Sequence, residues 1–336
     1  MYYVKPSFSH LYKNWVCSLI MNFQDLQKVE QANFYLDLAF RNARKHGEKI
    51  YLAHSGEQSS RVRKTEMEKI RKFNETIRDK MEAIIKNFPS IDGMPEFYQE
   101  LLRTTLEYEL VKKSLGAINW AKDAVTLMAR KYEQKIKSTR ETGIMKRHAT
   151  EFYGRASSIM KQINRNLIYL EESRQMMKTY PTLKTELFTV AITGFPNIGK
   201  STLLSKLTPA KPAIQDYAFT TTSINQGYAK WGIERIQFVD TPGVLNRQHM
   251  NTIEQQAYLV LKYLTQVIVY VIDLTEPYSL KEQEKLLKTL EDYDKPIIIY
   301  LSKTDILDLK TWQAAKRKYK AVTNVDDLRK KIEKYM

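Results

Sequence analysis

A chain of 336 residues can hold two domains with substantial cores, and 43% hydrophobic residues with 11 Gly and 10 Pro exclude a disordered polypeptide. The single cysteine, Cys17, excludes an intrachain disulfide and a thiolate metal cluster and points to a reducing compartment; no apolar run nears the roughly 20 residues of a membrane span, so no membrane partner is expected. The net charge of +16 calls for an acidic partner.

Residues 1–22 are aromatic and slightly basic, but polar residues interrupt every apolar stretch and no small-residue cleavage site follows, so no signal peptide is expected. They are expected to form an unordered leader, with Met21 an alternative start. Residues 23–180 then read as helices. Ile70, Phe73, Ile77, Met81, Ile84 and Phe88 recur at three and four until Pro89–Pro95 breaks the pattern; Phe97, Leu101, Tyr108, Val111 and Leu115 resume it. Ile118, Ala121, Val125, Met128, Tyr132 and Ile136 continue that spacing, and Ala156, Ile159, Met160, Ile163, Leu167, Leu170 and Met177 form a last stripe before Pro181. Long helices with one apolar face each and short connections predict an all-α antiparallel bundle.

The bundle carries most of the charge excess: residues 1–186 hold 33 Lys and Arg against 22 Asp and Glu. It is densest from Arg130 to Arg165, where Arg130, Lys131, Lys135, Lys137, Arg140, Lys146, Arg147, Arg155, Lys161 and Arg165 face only Glu133, Glu141 and Glu151. A charge run is ordinarily a solvated helix face. This one is too one-sided for i,i+4 pairing to neutralise, which predicts contact with nucleic acid.

After a linker at Tyr180–Glu186, residues 187–336 alternate strands with helical segments, the pattern of an α/β domain with a mostly parallel sheet and helices on both faces. Strands are predicted at 187–193, 223–230, 234–240, 266–273, 296–301 and near 319–322. The first closes on Gly194-Phe195-Pro196-Asn197-Ile198-Gly199-Lys200-Ser201 and opens a helix. That octet in that setting is a phosphate-binding loop: backbone N–H groups from Gly194 through Asn197, Ile198, Gly199 and Thr202 point at phosphate oxygens, Lys200 supplies a point charge, and Ser201 offers a hydroxyl to Mg²⁺. Asp240-Thr241-Pro242-Gly243 ends the third strand, so Asp240 can reach Mg²⁺ through water while the Gly243 N–H faces the γ-phosphate. Ser302-Lys303-Thr304-Asp305 ends the fifth, and the Asp305 carboxylate is placed to accept guanine N1–H and N2–H₂, a donor pair adenine lacks. The three elements together predict a P-loop GTPase that binds GTP and GDP.

Asp216–Gly227, with Phe219-Thr220-Thr221 followed six residues later by Gly227, resembles the first switch of Obg-type GTPases. In that pattern Thr221 contacts Mg²⁺ and the γ-phosphate. Asn251-Thr252-Ile253-Glu254-Gln255-Gln256-Ala257 and the helical Leu38-Ala39-Phe40-Arg41-Asn42-Ala43-Arg44 further resemble the nucleolar GTP-binding protein (Nog) family. The resemblance, spanning residues 23 to 310, implies an N-terminal helical domain that docks on rRNA of the large ribosomal subunit precursor during assembly. Ser302 stands where the pattern has Asn, weakening one contact to guanine N7. The last base-binding loop, Lys320–Asn324, is short and leaves Ala321 as the candidate for a backbone contact to guanine O6. The end at Met336, without the long extension of eukaryotic members, implies a short archaeal-type, cytoplasmic version, expected to be monomeric.

Val244 occupies the position that holds a water-orienting Gln in Ras-like GTPases, so unaided hydrolysis should be slow. Asn197 either helps ligate K⁺ beside the phosphates or braces the loop. Lys200, Thr221, Gly243 and Asn197 are thus the candidate catalytic residues. A tRNA-modification or stress-signalling GTPase whose helical half binds a protein remains the alternative.

Overall fold

The computed structural model describes residues 22–209, 213–215, 224–241, 252–275 and 278–336. The helical stripes become α1 (Ala32–Ala53), α2 (Gln58–Asn87), α3 (Glu96–Thr105), α4 (Tyr108–Ser138), α5 (Thr142–Gln162) and α6 (Asn164–Lys178). Proline sets one boundary: Phe88 is extended before Pro89, as a residue preceding proline prefers, so α2 stops at Asn87.

Contacts divide the described chain into two units. Phe23–Met94 with Leu106–Lys178 makes the helical one. Its helices run antiparallel in sequence order, as side-chain partners show. Asn42 meets Thr76 and His46 meets Glu68 between α1 and α2, while Arg71 meets Glu133 and Asn74 meets Thr126 between α2 and α4. The stripe residues Ile70, Phe73, Ile77, Met81, Val111, Ile118, Val125, Met160 and Leu167 are fully buried. Phe73 is the centre of an edge-on aromatic cluster, 5.0 Å from Phe40 and 5.6 Å from Phe152.

The second unit contains Thr179–Met336 and, unexpectedly, Pro95–Thr105. Periodicity from Phe97 to Leu115 reads as one stripe, but α3 and α4 separate at Leu106–Glu107 because α3 spends its apolar face elsewhere. Phe97, Tyr98, Leu101 and Leu102 are all buried, packed towards later residues of the same unit. The Tyr98 hydroxyl donates to Pro181 O at 2.8 Å and accepts from Leu183 N at 2.9 Å, fixing the linker. Similarly, the stripe 156–177 is broken at Ile163, which leaves helical geometry between α5 and α6.

The sheet has strands β1 (Phe188–Thr193), β2 (Ala213–Gln215), β3 (Ile224–Trp231), β4 (Glu234–Asp240), β5 (Thr265–Asp273) and β6 (Ile297–Ser302), in the order β2-β3-β4-β1-β5-β6. β1 pairs in parallel with β4 and β5, and β5 with β6; β3 runs antiparallel to β4 and β2 to β3. Strand alternation sorts the two cores. Val190, Ile192, Val267, Val269 and Val271 pack on one face with α7 (Lys200–Leu207) and α11 (Val325–Glu333), while Ala191, Ile268, Tyr270 and Ile272 pack on the other with α8 (Thr252–Leu259) and α9 (Leu280–Glu291). The three-residue β2 gives too short a pattern to read in sequence. The strand expected at 319–322 shrinks to a bridge between Val322 and Tyr300, because residues to Tyr319 close α10 (Leu309–Tyr319).

Candidate nucleotide site

The carboxyl ends of β1, β4 and β6 carry the phosphate loop, Asp240 and the base-binding turn, as expected for an open α/β sheet. After β1 the backbone turns through three left-handed residues, Gly194 (φ 145°), Asn197 (φ 62°) and Gly199 (φ 96°). Gly194 has no alternative: a Cβ there would lie 2.4 Å from Ile198 Cδ1 and 2.8 Å from Val271 O. Ile198 is the loop's apolar plug, fully buried in the core beside Leu203 and Leu204. Exposed Asn197 and the first turn of α7, with Thr202, therefore sit on an anchored frame whose N–H groups suit phosphate.

Lys200 Nζ donates to Phe195 O at 2.8 Å, within the loop. Burial pushes its pKa down, partly opposed by the Asp240 carboxylate. Ser201 Oγ donates to Asp240 Oδ2 at 2.7 Å, and Asp240 is 7% exposed. Burial pushes the Asp240 carboxyl up, against Lys200, Ser201 and Asn225, which favour its charged form. Both shifts have one cause: each charge has lost more water than the other replaces. Oxygen donors at a buried carboxylate fit Mg²⁺, which Ser201 and Asp240 would hold. Asn225, directly across the β3–β4 ladder from Asp240, donates to the same oxygen at 3.3 Å. Sequence reading missed it, since only strand register reveals the pairing. Thr241 turns inward, its hydroxyl on Ile192 O. Thr221, Gly243 and Val244, with the start of the Asn251-Thr252 run, lie outside the residues or side chains described.

The base-binding turn follows β6. Ser302 Oγ donates to Ile272 O at 3.3 Å, Lys303 is left-handed (φ 50°), and Asp305 stands exposed in a 3₁₀ turn. Ala321 does not join them. Its N–H is donated to Lys316 O at 3.1 Å and its side chain is buried in the core, so it cannot serve guanine O6. Gly227, in the switch motif, has a packing role: a Cβ there would lie 2.6 Å from Thr208 Cγ2 at the end of α7.

Residues 23–183 match the family described as NOG1 N-terminal helical domain and residues 189–303 the one described as 50S ribosome-binding GTPase. Nucleolar GTP-binding protein 1 of Drosophila melanogaster is 32% identical over 294 residues, 86% of this chain and 45% of that protein. The chain belongs to the nucleolar GTP-binding protein family. It is a GTPase. An uncharacterized protein of Methanocaldococcus jannaschii is 39% identical to this Nog-family chain over 74% of it and 71% of the relative. A solved structure from Plasmodium falciparum carrying the name nucleolar GTP-binding protein 1 is 27% identical, covering 41% of this chain and 73% of that one, with a TM-score of 0.34. The Nog-family chain thus spans about half the length of the named curated relatives it matches. Among its described residues no helix is long and apolar enough to cross a membrane.

Proposed function

We propose that this Nog-family GTPase acts in assembly of the large ribosomal subunit, its helical stretch 23–180 docking on rRNA of the precursor and its GTPase stretch 187–336 setting the grip. Charge supports the reading. Of the three acids within Arg130–Arg165, Glu133 is taken by Arg71 at 2.9 Å and Glu151 by His148 at 3.6 Å. Arg130, Lys131, Lys137, Arg140, Lys146 and Arg147 are exposed, and none has a carboxylate partner among the described residues. Uncompensated, outward-facing charge of this density binds phosphate by releasing counterions. Trp120, 50% exposed, and Leu127, 70% exposed, stand two turns apart on the same outward side of α4, where an aromatic ring can stack on a splayed base. The nucleolar name of the relatives and the ribosome-binding description of the matched GTPase family point the same way.

In this reading GTP is bound with Mg²⁺ on Ser201 and Asp240, Thr221 completes the metal shell, and Gly243 reports the γ-phosphate. Asn197 supports a K⁺ ion that stands in for the absent water-orienting side chain. Asp305 selects guanine, and Thr323, the residue following the Val322 bridge, replaces Ala321 as the backbone contact to O6. The protein works as a cytoplasmic monomer. Co-sedimentation with ribosomal subunits tests the proposal: binding to the large subunit or its precursor in GTP and release in GDP is expected, and equal recovery with both nucleotides, or none, would overturn it.

A further inference from the structure

We propose that Asp273 is a positioning residue of the guanine site, its buried carboxylate holding Lys303 in place of the motif asparagine that this chain lacks. The inference rests on reading Ser302–Asp305 as the base-binding turn. Asp273 is the last paired residue of β5 and stands opposite Ser302 in the parallel ladder. Its side chain is 0% exposed, and its Oδ2 lies 2.6 Å from Lys303 Nζ. The other oxygen, Oδ1, accepts from Thr275 N at 2.9 Å and Thr275 Oγ1 at 2.7 Å. Neither oxygen is free to turn.

The backbone is fixed as firmly. Gln283, fully buried on α9, accepts from Asp273 N at 3.0 Å through Oε1 and donates to Asp273 O at 2.8 Å through Nε2. The strand end therefore cannot peel away, and the carboxylate is aimed before any ligand arrives. Lys303 needs such a partner. It is left-handed at φ 50° and ψ 33°, a conformation a lysine rarely adopts unassisted, and that turn presents Asp305. Ser302 cannot supply the restraint: its hydroxyl reaches only Ile272 O, within its own sheet, and its Cβ merely abuts the space over Gly199. A motif asparagine would extend further than a serine, so the ion pair carries the load at the head of the turn. With its ammonium held at Asp273, the Lys303 stem remains about one-third exposed, available to the flat face of a base.

The test is GDP release from the full-length protein, measured with a fluorescent GDP. Asp273→Asn should speed release about tenfold or more, as expected when one partner of a buried ion pair is lost. The defect should fall on KM for GTP, with kcat within about twofold. Combining it with Lys303→Met should add nothing beyond the worse single change, since the two side chains act as one unit. Unchanged release by folded Asp273→Asn, or additive effects in the pair, overturns the inference. Should Asp273→Asn not fold, Thr275→Val, which removes one donor from the same carboxylate, decides instead: faster release supports it and an unchanged rate overturns it. Asp305→Asn controls the underlying reading. A shift of preference from GDP to xanthosine diphosphate upholds the base site, whereas an unchanged preference removes the site and the inference with it.

Discussion

Ser201 Oγ donates to Asp240 Oδ2 across 2.7 Å, so the phosphate loop and the end of β4 share one buried carboxylate. A carboxyl whose pKa is raised by burial favours the fold while protonated. That contribution is present below the usual value of 3.8 and is lost as pH rises through the raised value. A bound Mg²⁺ removes the penalty. Mg·GDP should therefore raise the melting temperature more at pH 7 than at pH 5 in the native protein, and equally at both in Asp240→Asn. Ser201→Ala should cost about tenfold or more in nucleotide affinity with Mg²⁺ and little in EDTA; Lys200→Ala should lose affinity in both. Calorimetry at the two pH values checks all three variants.

Glu171 gives the helical unit its own acid sensitivity. Burial alone would raise its pKa, but hydrogen bonds from Arg174, Val29 N and Gln175 overcome this and hold it at about 2 against the usual 4.5. Stability from this group is full above 4.5 and lost as pH falls towards 2. Glu171→Gln should lower stability by about 2 kcal/mol at neutral pH. Denaturant titrations should show that difference closing as pH drops below 4.

Tyr98→Phe removes only an oxygen, yet it takes a donor from the carbonyls of Pro181 and Leu183 and one of two acceptors from Leu183 N, which keeps Pro181 O at 3.1 Å. A loss of about 0.5–1.5 kcal/mol is expected, the net worth of an intramolecular hydrogen bond. Equilibrium unfolding followed by the GTPase residues' nucleotide binding measures it; a loss below 0.5 kcal/mol, on the order of a surface change, would contradict the anchoring role.

Charge reversal of Lys137, Arg140, Lys146 and Arg147 should weaken binding of structured RNA and flatten its salt dependence, because each neutralised phosphate releases counterions. GTP binding should stay unchanged. The intact chain is needed, since cutting near residue 180 would strip α3 of the surface that buries Phe97 and Leu101. An unaltered salt slope would place the RNA contact elsewhere.

Local spacing made the phosphate loop, the helical stripes and strands β1, β3, β4, β5 and β6 legible, because each is written as a continuous run whose period shows its face. Features that need two distant segments were not legible. Asn225 reaches Asp240 only through strand register, and nothing in its own neighbourhood marks it. Ala321 occupies the right stretch of sequence, but the bridge at Val322 turns its backbone inward. The divide between α3 and α4 carries no proline or glycine: Leu106 and Glu107 would extend a helix if tertiary packing did not pull the two apart. Asp305 is legible as a candidate base contact from its motif, whereas its exposure is not, since burial there depends on what covers the turn.

Synthesis runs from the amino terminus, and this gives α3 an unusual schedule. Its apolar side faces residues that do not yet exist when it leaves the ribosome. Roughly 150 residues separate it from α8, which at about 5–20 residues per second means about 7–30 s of waiting. During that interval Phe97, Tyr98, Leu101 and Leu102 form a sticky ten-residue segment on a nascent chain whose neighbouring helices can already pair. The GTPase unit of this chain therefore has one piece, α3, that is made early and stays uncovered until α8 arrives to close it.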